Sequence, residues 1–216
     1  MELNFTLLSD GSSDRALLPI LTWLLKEQRV MFGINPVWAD LRRLPKPPKT
    51  LAERIVRAVD LYPCDLLFIH RDAEKEGREK RVGEIKDALL EAQKQVEVSP
   101  VICVVPVRMG EAWLLFNEKA IRWAAGNPNS QVPFDLPRLM RLEDLPDPKA
   151  DLYNLIRLAS DLRGRRLKKL NVRQSAVRVA EYIEDFSPLR TLPAFKVLEQ
   201  DLEEVLELLS GNLTAR

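Results

Sequence analysis

The chain is short of several things, and each shortage removes a class of explanation. It holds two cysteines, Cys64 and Cys103, far apart in the sequence. That leaves no disulfide framework and no cysteine-based zinc site. Histidine occurs once, at His70. As the last residue of an apolar run it reads as structural ahead of a catalytic base. No apolar run approaches the length of a membrane span. The amino terminus has neither the basic region nor the long apolar stretch of a signal peptide. The expected setting is therefore a reduced cytoplasm, with no membrane partner. There is no P-loop and no Gly-x-Gly-x-x-Gly run, so ATP or NAD binding lacks its usual signature. Net charge is only +1, so bulk charge does not announce a nucleic-acid partner.

What is present points to a folded α/β chain. At 46% apolar and 30% charged, 216 residues suffice to bury a core in one domain, or in one domain with an appended subdomain. The pattern predicts strands over 2–9, 34–39, 65–69 and 101–107, the last two nearly all apolar, as in a sheet covered on both faces. Between them the spacing predicts a helix from Ser12 to about Gln28, capped by Ser12, Ser13 or Asp14. A second is expected from Thr50 to about Leu61. A third runs to about Val96, after a polar segment over 75–84 that is a loop or a frayed helix start. The alternation implies right-handed crossovers and a parallel sheet. Helical patterns follow over 111–125, 150–162, 172–185 and 192–209. Residues 126–148 read as a long loop with one short helix near Pro137 to Leu142. Trp23, Trp113 and Trp123 sit beside leucines at helical spacing and read as core. The expected organisation is an α/β domain over 1–125 with a helical extension over 126–216 packed on it.

Three acidic clusters fall where strands should end. They are Asp10-Gly11-Ser12-Ser13-Asp14, then Asp72-Ala73-Glu74, then Glu111. In an open parallel sheet the ligand crevice lies beyond the carboxyl ends of the strands. Carboxylates meeting there repel unless a cation or shared protons lie between them. Oxygen ligands of this kind suit Mg²⁺ or Mn²⁺. The bland readings are helix-capping or first-turn acids at Asp10, Asp14 and Glu111, and solvated loop acids at Asp72 and Glu74. A basic stretch over 163–178 contains Arg165, Arg166, Lys168 and Lys169 and no acid. It is either a nucleic-acid face or a charged helix–loop–helix edge. Arg71 is open to a phosphate or to a neighbouring acid, and Lys149 to the crevice or to the surface.

These segments resemble a known family. Asp10-Gly11-Ser12-Ser13-Asp14 resembles the Glu-Gly-x-x-Asp turn that ends the first strand of Toprim domains. His70-Arg71-Asp72-Ala73-Glu74 resembles their Asp-x-Asp motif after the third strand. Met109-Gly110-Glu111-Ala112-Trp113-Leu114-Leu115, Asp147-Pro148-Lys149 and the Phe195-centred helix are similar to a Toprim-like family of bacterial proteins related to the Toprim domains of OLD-type nucleases. The resemblance implies a Rossmann-like, four-stranded parallel sheet with flanking helices, followed by a helical carboxyl-terminal half. It also implies a Mg²⁺-dependent phosphodiester hydrolase acting on nucleic acid, with an ATPase partner and a role in phage defence. Carried over, Asp10 takes the acid/base role and is also a metal ligand through a second ion, Asp72 is both catalytic and a metal ligand with Glu74, and Glu111 is an accessory ligand at a second metal. Arg71, Arg165, Arg166, Lys168 and Lys169 are the expected nucleic-acid contacts. Asp10 is one methylene shorter than the family's Glu, and Glu74 one longer than its Asp. These departures favour an alternative, a non-catalytic binding or regulatory module of the same fold.

Overall fold

The computed structural model describes residues 2–28, 30, 33–74 and 76–214, with side chains described through residue 209. Four strands form one all-parallel sheet: β1 (Glu2–Leu8), β2 (Gly33–Trp38), β3 (Leu66–His70) and β4 (Val101–Val104). Their order is β2-β1-β3-β4. Phe5 lies opposite Leu66, Leu8 opposite Ile69, and His70 opposite Val104. β3 is buried along its whole length. That burial is why its sequence is a continuous apolar run without alternation. β2 is an edge strand, and Pro36 within it withholds the N–H that a further strand would need.

The period of two sorts the strand side chains between two cores. Phe5, Leu7, Leu66, Phe68, Ile102 and Val104 join one cluster. Leu8, Leu67, Ile69 and Val105 join the other. The second cluster is closed by α2 (Leu51–Leu61) and α3 (Arg78–Ala92) through Ile55, Ala58, Ile85 and Ala92. The first is closed by α1 (Leu17–Glu27) together with α4 (Glu118–Ala124), α5 (Pro148–Ser160), α7 (Val172–Glu181) and α8 (Pro193–Thr214). A short helix, α6 (Gly164–Lys169), precedes α7 and buries nothing. α8 packs back on the β4 edge. No helix among the described residues is long and apolar enough to cross a membrane.

Several boundaries differ from the sequence expectation, each for a local reason. The helix expected from Ser12 is a 3-10 turn over Ser13–Ala16 before α1 begins, and no side chain caps it. Asp14 instead accepts the Gly11 N–H at 2.8 Å, folding the chain back on itself. Thr50 does cap α2, in a full capping box with Glu53. α3 starts at Arg78 because Gly77 sits at φ 84°, a left-handed conformation that suits glycine. Lys75, in the polar segment before it, lies outside the described residues. β4 stops at Val104, two residues before Pro106, which has no N–H to give a ladder. The stretch 111–125 is interrupted: a 3-10 turn over Gly110–Leu114 is followed by α4, whose cap Asn117 accepts the Ala120 N–H.

The first core runs without a break from the sheet into the helical half. Phe68 meets Phe5 edge-on at 5.2 Å between ring centroids. Trp113 meets Phe195 of α8 in the same way at 5.3 Å. Phe195 is fully buried. Truncating a buried Phe to Ala costs about 3–5 kcal/mol. Phe195→Ala is therefore expected to lower the unfolding free energy of the whole chain by that amount, read as a lower urea midpoint in one transition with an unchanged slope. A separate early transition for the helical half, read by circular dichroism and tryptophan fluorescence, would show that the two halves unfold independently.

Candidate functional site

The chain leaves β1 toward β2 on one side of the sheet centre, while β3 and β4 lie on the other. The seam between the carboxyl ends of β1 and β3 is therefore the topological switch point, where open α/β sheets place their ligands. Strand parity continues through the end of β3. His70 follows Leu66 and Phe68 onto the α1 face. Arg71 follows Leu67 and Ile69 toward α2 and α3. Asp72 returns to the first side. The acids at the seam are thereby split into an inner and an outer group.

The inner group centres on His70, which is only 3% exposed. Its Nδ1 lies 2.9 Å from the Val104 carbonyl oxygen. A carbonyl only accepts, so Nδ1 carries a proton. Nε2 lies 3.4 Å from Asp72 Oδ1 and 3.9 Å from Asp14 Oδ2. A lone pair there would face two carboxylates, whereas a second proton gives an imidazolium between them. Burial opposes that charge, but the Asp72 carboxylate, aided by Asp14 and by the Val104 carbonyl, outweighs it and raises the His70 pKa above its ordinary value. Each acid is also held by backbone: the Gly110 N–H donates to Asp72 Oδ1 at 3.0 Å. Asp14 accepts from the Gly11 N–H and, at 3.1 Å, from the Ser13 hydroxyl.

Glu111 closes this group from the turn after β4. Lys149, at the start of α5, brings its Nζ to 3.0 Å from Glu111 Oε1. This ion pair supplies the counter-charge of the buried Oε1. Burial works against the ammonium, but Glu111, with help from Asp14, raises the Lys149 pKa. A cavity of about 10 Å³ lies among Ser13, Asp14, His70 and Glu111, with Leu17 and Leu114 as apolar wall. That is the lower limit of room for one water.

The outer group is built on arginines. Asp10, half exposed, is ion-paired with Arg54 of α2 and, at 3.1 Å, with Arg71. Arg71 also reaches Glu84 of α3 at 3.3 Å. Arg81 pairs with Glu84 and, at 3.3 Å, with Glu74. Its Nε donates to the Asp72 carbonyl oxygen at 3.0 Å, which ties the two groups together. Glu74 itself is in the left-handed region at φ 52°.

Of the residues singled out from the sequence, Asp72 and Glu111 stand in the inner group. Asp10 and Glu74 stand on the outer rim, each with its own guanidinium. Asp14, His70 and Lys149 complete the inner group. For His70 the signal was available: Leu66-x-Phe68-x-His70-x-Asp72 is one face of a strand. Among the described residues, no set of three His, Cys, Asp or Glu side chains stands close enough to cage a metal ion. Arg165, Arg166, Lys168 and Lys169 are exposed on α6, and none has an acid partner among the described residues. Trp113 is core, Trp23 is partly buried, and Trp123 departs from expectation at 46% exposed. Its register on the short α4 turns it outward. Cys64 and Cys103 are free, and burial raises both thiol pKa values, which disfavours a nucleophilic role. Comparison with family models, with curated proteins and with solved structures yields no match to this chain.

The imidazolium carries a pH signature. Below about pH 6.5 both the folded and the unfolded chain hold the proton, and the stabilisation is complete. Above that value only the folded chain holds it, so stability falls with rising pH until the raised folded-state pKa is passed. Urea unfolding in EDTA is expected to show this decline in the wild type above about pH 6.5, and not in His70→Gln. Nitrogen-detected NMR of the single histidine is expected to find both ring nitrogens protonated at neutral pH. A bare Nε2 would contradict the assignment.

Proposed function

We propose that the chain is a Toprim-type, divalent-metal-dependent phosphodiester hydrolase acting on nucleic acid. The observation that carries the reading is the meeting of Asp14 and Asp72 around one nitrogen at the switch point between β1 and β3. Acids from separate strand ends share one crevice there, as a site for phosphoryl chemistry requires.

The donor set fits a weakly held ion. Mg²⁺ is commonly bound by one or two carboxylates, with waters and substrate phosphates completing the shell, and not by an all-protein cage. Asp72 Oδ1 is engaged by Gly110 and His70, and no hydrogen bond to Oδ2 is present among the described residues. Asp72 would hold Mg²⁺ or Mn²⁺ through that oxygen. Glu74, exposed and paired among the described residues with Arg81, is near enough in the chain to join it. Such an ion supplies charge stabilisation at a scissile phosphate. The chain's own residues do the rest. Arg54 and Arg71 fix Asp10 at the rim, where it would accept the proton of an attacking water. Lys149 holds Glu111 in place through the ion pair between them. The unpaired cations of α6 would neutralise phosphates along the substrate.

One observation favours a second reading. His70 and Lys149 already compensate Asp14, Asp72 and Glu111. A module that binds nucleic acid or an ATPase partner without cleaving needs no more charge than this.

A nuclease assay with Mg²⁺ or Mn²⁺ separates the two. Wild-type protein is expected to cleave, and Asp72→Ala to fall to background. Asp10→Asn is expected to lose roughly 10²- to 10⁴-fold in rate, the usual span for a proton-transfer group. Equal cleavage by wild type and Asp72→Ala, or none by either, would leave the binding module as the better account.

A further inference from the structure

The surface of α6 and α7 combines two features that need each other only for one kind of ligand. Over α6 and its cap, Arg163, Arg165, Arg166, Lys168 and Lys169 are exposed without acid partners among the described residues. At the other end of α7, about 15 Å away by helix rise, stands an aromatic pair. Trp123 of α4 lies 5.8 Å from Tyr182, with the ring planes at 33°. Arg178 of α7 sits over the Tyr182 ring at 5.4 Å and donates to its hydroxyl. Trp123 is 46% exposed, so a large aromatic surface is left in water at the end of α7 away from the α6 cations.

We infer that this face binds single-stranded nucleic acid, with the α6 cations on phosphates and an unpaired base stacked on Trp123. A duplex hides its base faces within its own stack, so an exposed indole adds little to duplex binding. A single strand offers phosphates and free base faces together, and base–aromatic stacking tolerates any sequence. An acidic protein segment would use the cations and leave the indole idle. α7 itself packs on the 3-10 turn that carries Asp14, and on α5, which carries Lys149. The inference rests on the preceding reading for the class of substrate, but the binding itself needs neither metal nor cleavage.

Fluorescence anisotropy in EDTA tests it, with a labelled thymidine oligonucleotide and a duplex of equal length. The single strand is expected to bind more tightly than the duplex. Trp123→Ala is expected to weaken single-strand binding by roughly 5- to 150-fold, the effect of losing one stacked base, and Trp123→Phe to recover most of it. The double variant Lys168→Glu, Lys169→Glu is expected to weaken binding and to flatten its salt dependence. Circular dichroism of each variant shows whether it is folded. Equal affinity for strand and duplex, a folded Trp123→Ala with unchanged binding, or displacement by polyglutamate as effective as by unlabelled oligonucleotide would overturn the proposal. Retained single-strand preference in a protein that does not cleave would sink only the hydrolase reading.

Discussion

Charge has to be compensated where β1 and β3 part, and much of the molecule's design follows from that need. Asp14 and Asp72 meet partly buried at that seam, where like charges repel. The chain answers with His70, whose ring has one nitrogen committed to the Val104 carbonyl and the other facing both acids. Because Nδ1 is committed, the ring cannot turn its basic nitrogen away. Removing it would leave two partly buried acids held by backbone N–H groups but without the imidazole that stands between them. The same logic extends outward: Glu111 is met by Lys149, Asp10 by two guanidiniums, and Glu74 by one.

The helical half enters this arrangement as structure and as charge. Its Phe195 packs on Trp113, two residues beyond Glu111, so the turn that carries Glu111 is clamped by α8. α5 presents Lys149 from its first turn, held there by the Asp147 cap that accepts the Ala150 N–H. The inner acids are thus set by elements on both sides of residue 125. A carboxyl-terminal truncation would strip Glu111 of its counter-charge as well as opening the core.

The fold was legible because it rests on strong local signals. Two continuous apolar strands, a Thr-x-x-Glu capping box and glycine or proline at the breaks decide most of the α/β half. The acids' positions at strand ends were legible for the same reason. Their division was not, because it depends on two things a linear reading weighs poorly. One is side-chain parity past the strand end, which sends His70 and Asp72 to one side and Arg71 to the other. The other is long-range pairing: Arg54 meets Asp10 across 44 residues of chain, and Lys149 meets Glu111 from another helix. Asp14 read as a helix cap because Ser-Ser-Asp before an apolar helix usually is one. Here its carboxylate turns back to Gly11, and the helix starts as a 3-10 turn instead. Trp123 was misjudged because α4 is only seven residues long, too short for spacing alone to tell its inner face from its outer.

The two groups of acids invite different chemical roles, and burial is what separates them. The inner carboxylates are fixed by backbone N–H groups and a buried imidazole, so they are pre-organised and can change partner only at a cost. The outer ones stand more open to solvent and are tied by partly buried arginines, Arg54, Arg71 and Arg81. A phosphate arriving at the rim could compete for Arg71 and Arg54 with little penalty, because guanidinium binds phosphate oxygens as readily as carboxylate. Asp10 would then lose one counter-charge at the moment substrate docks. In that arrangement the arginines that restrain Asp10 in the free protein become the groups that position substrate beside Asp72. On the proposed reading, Arg71 would exchange the carboxylate it now holds for a substrate phosphate.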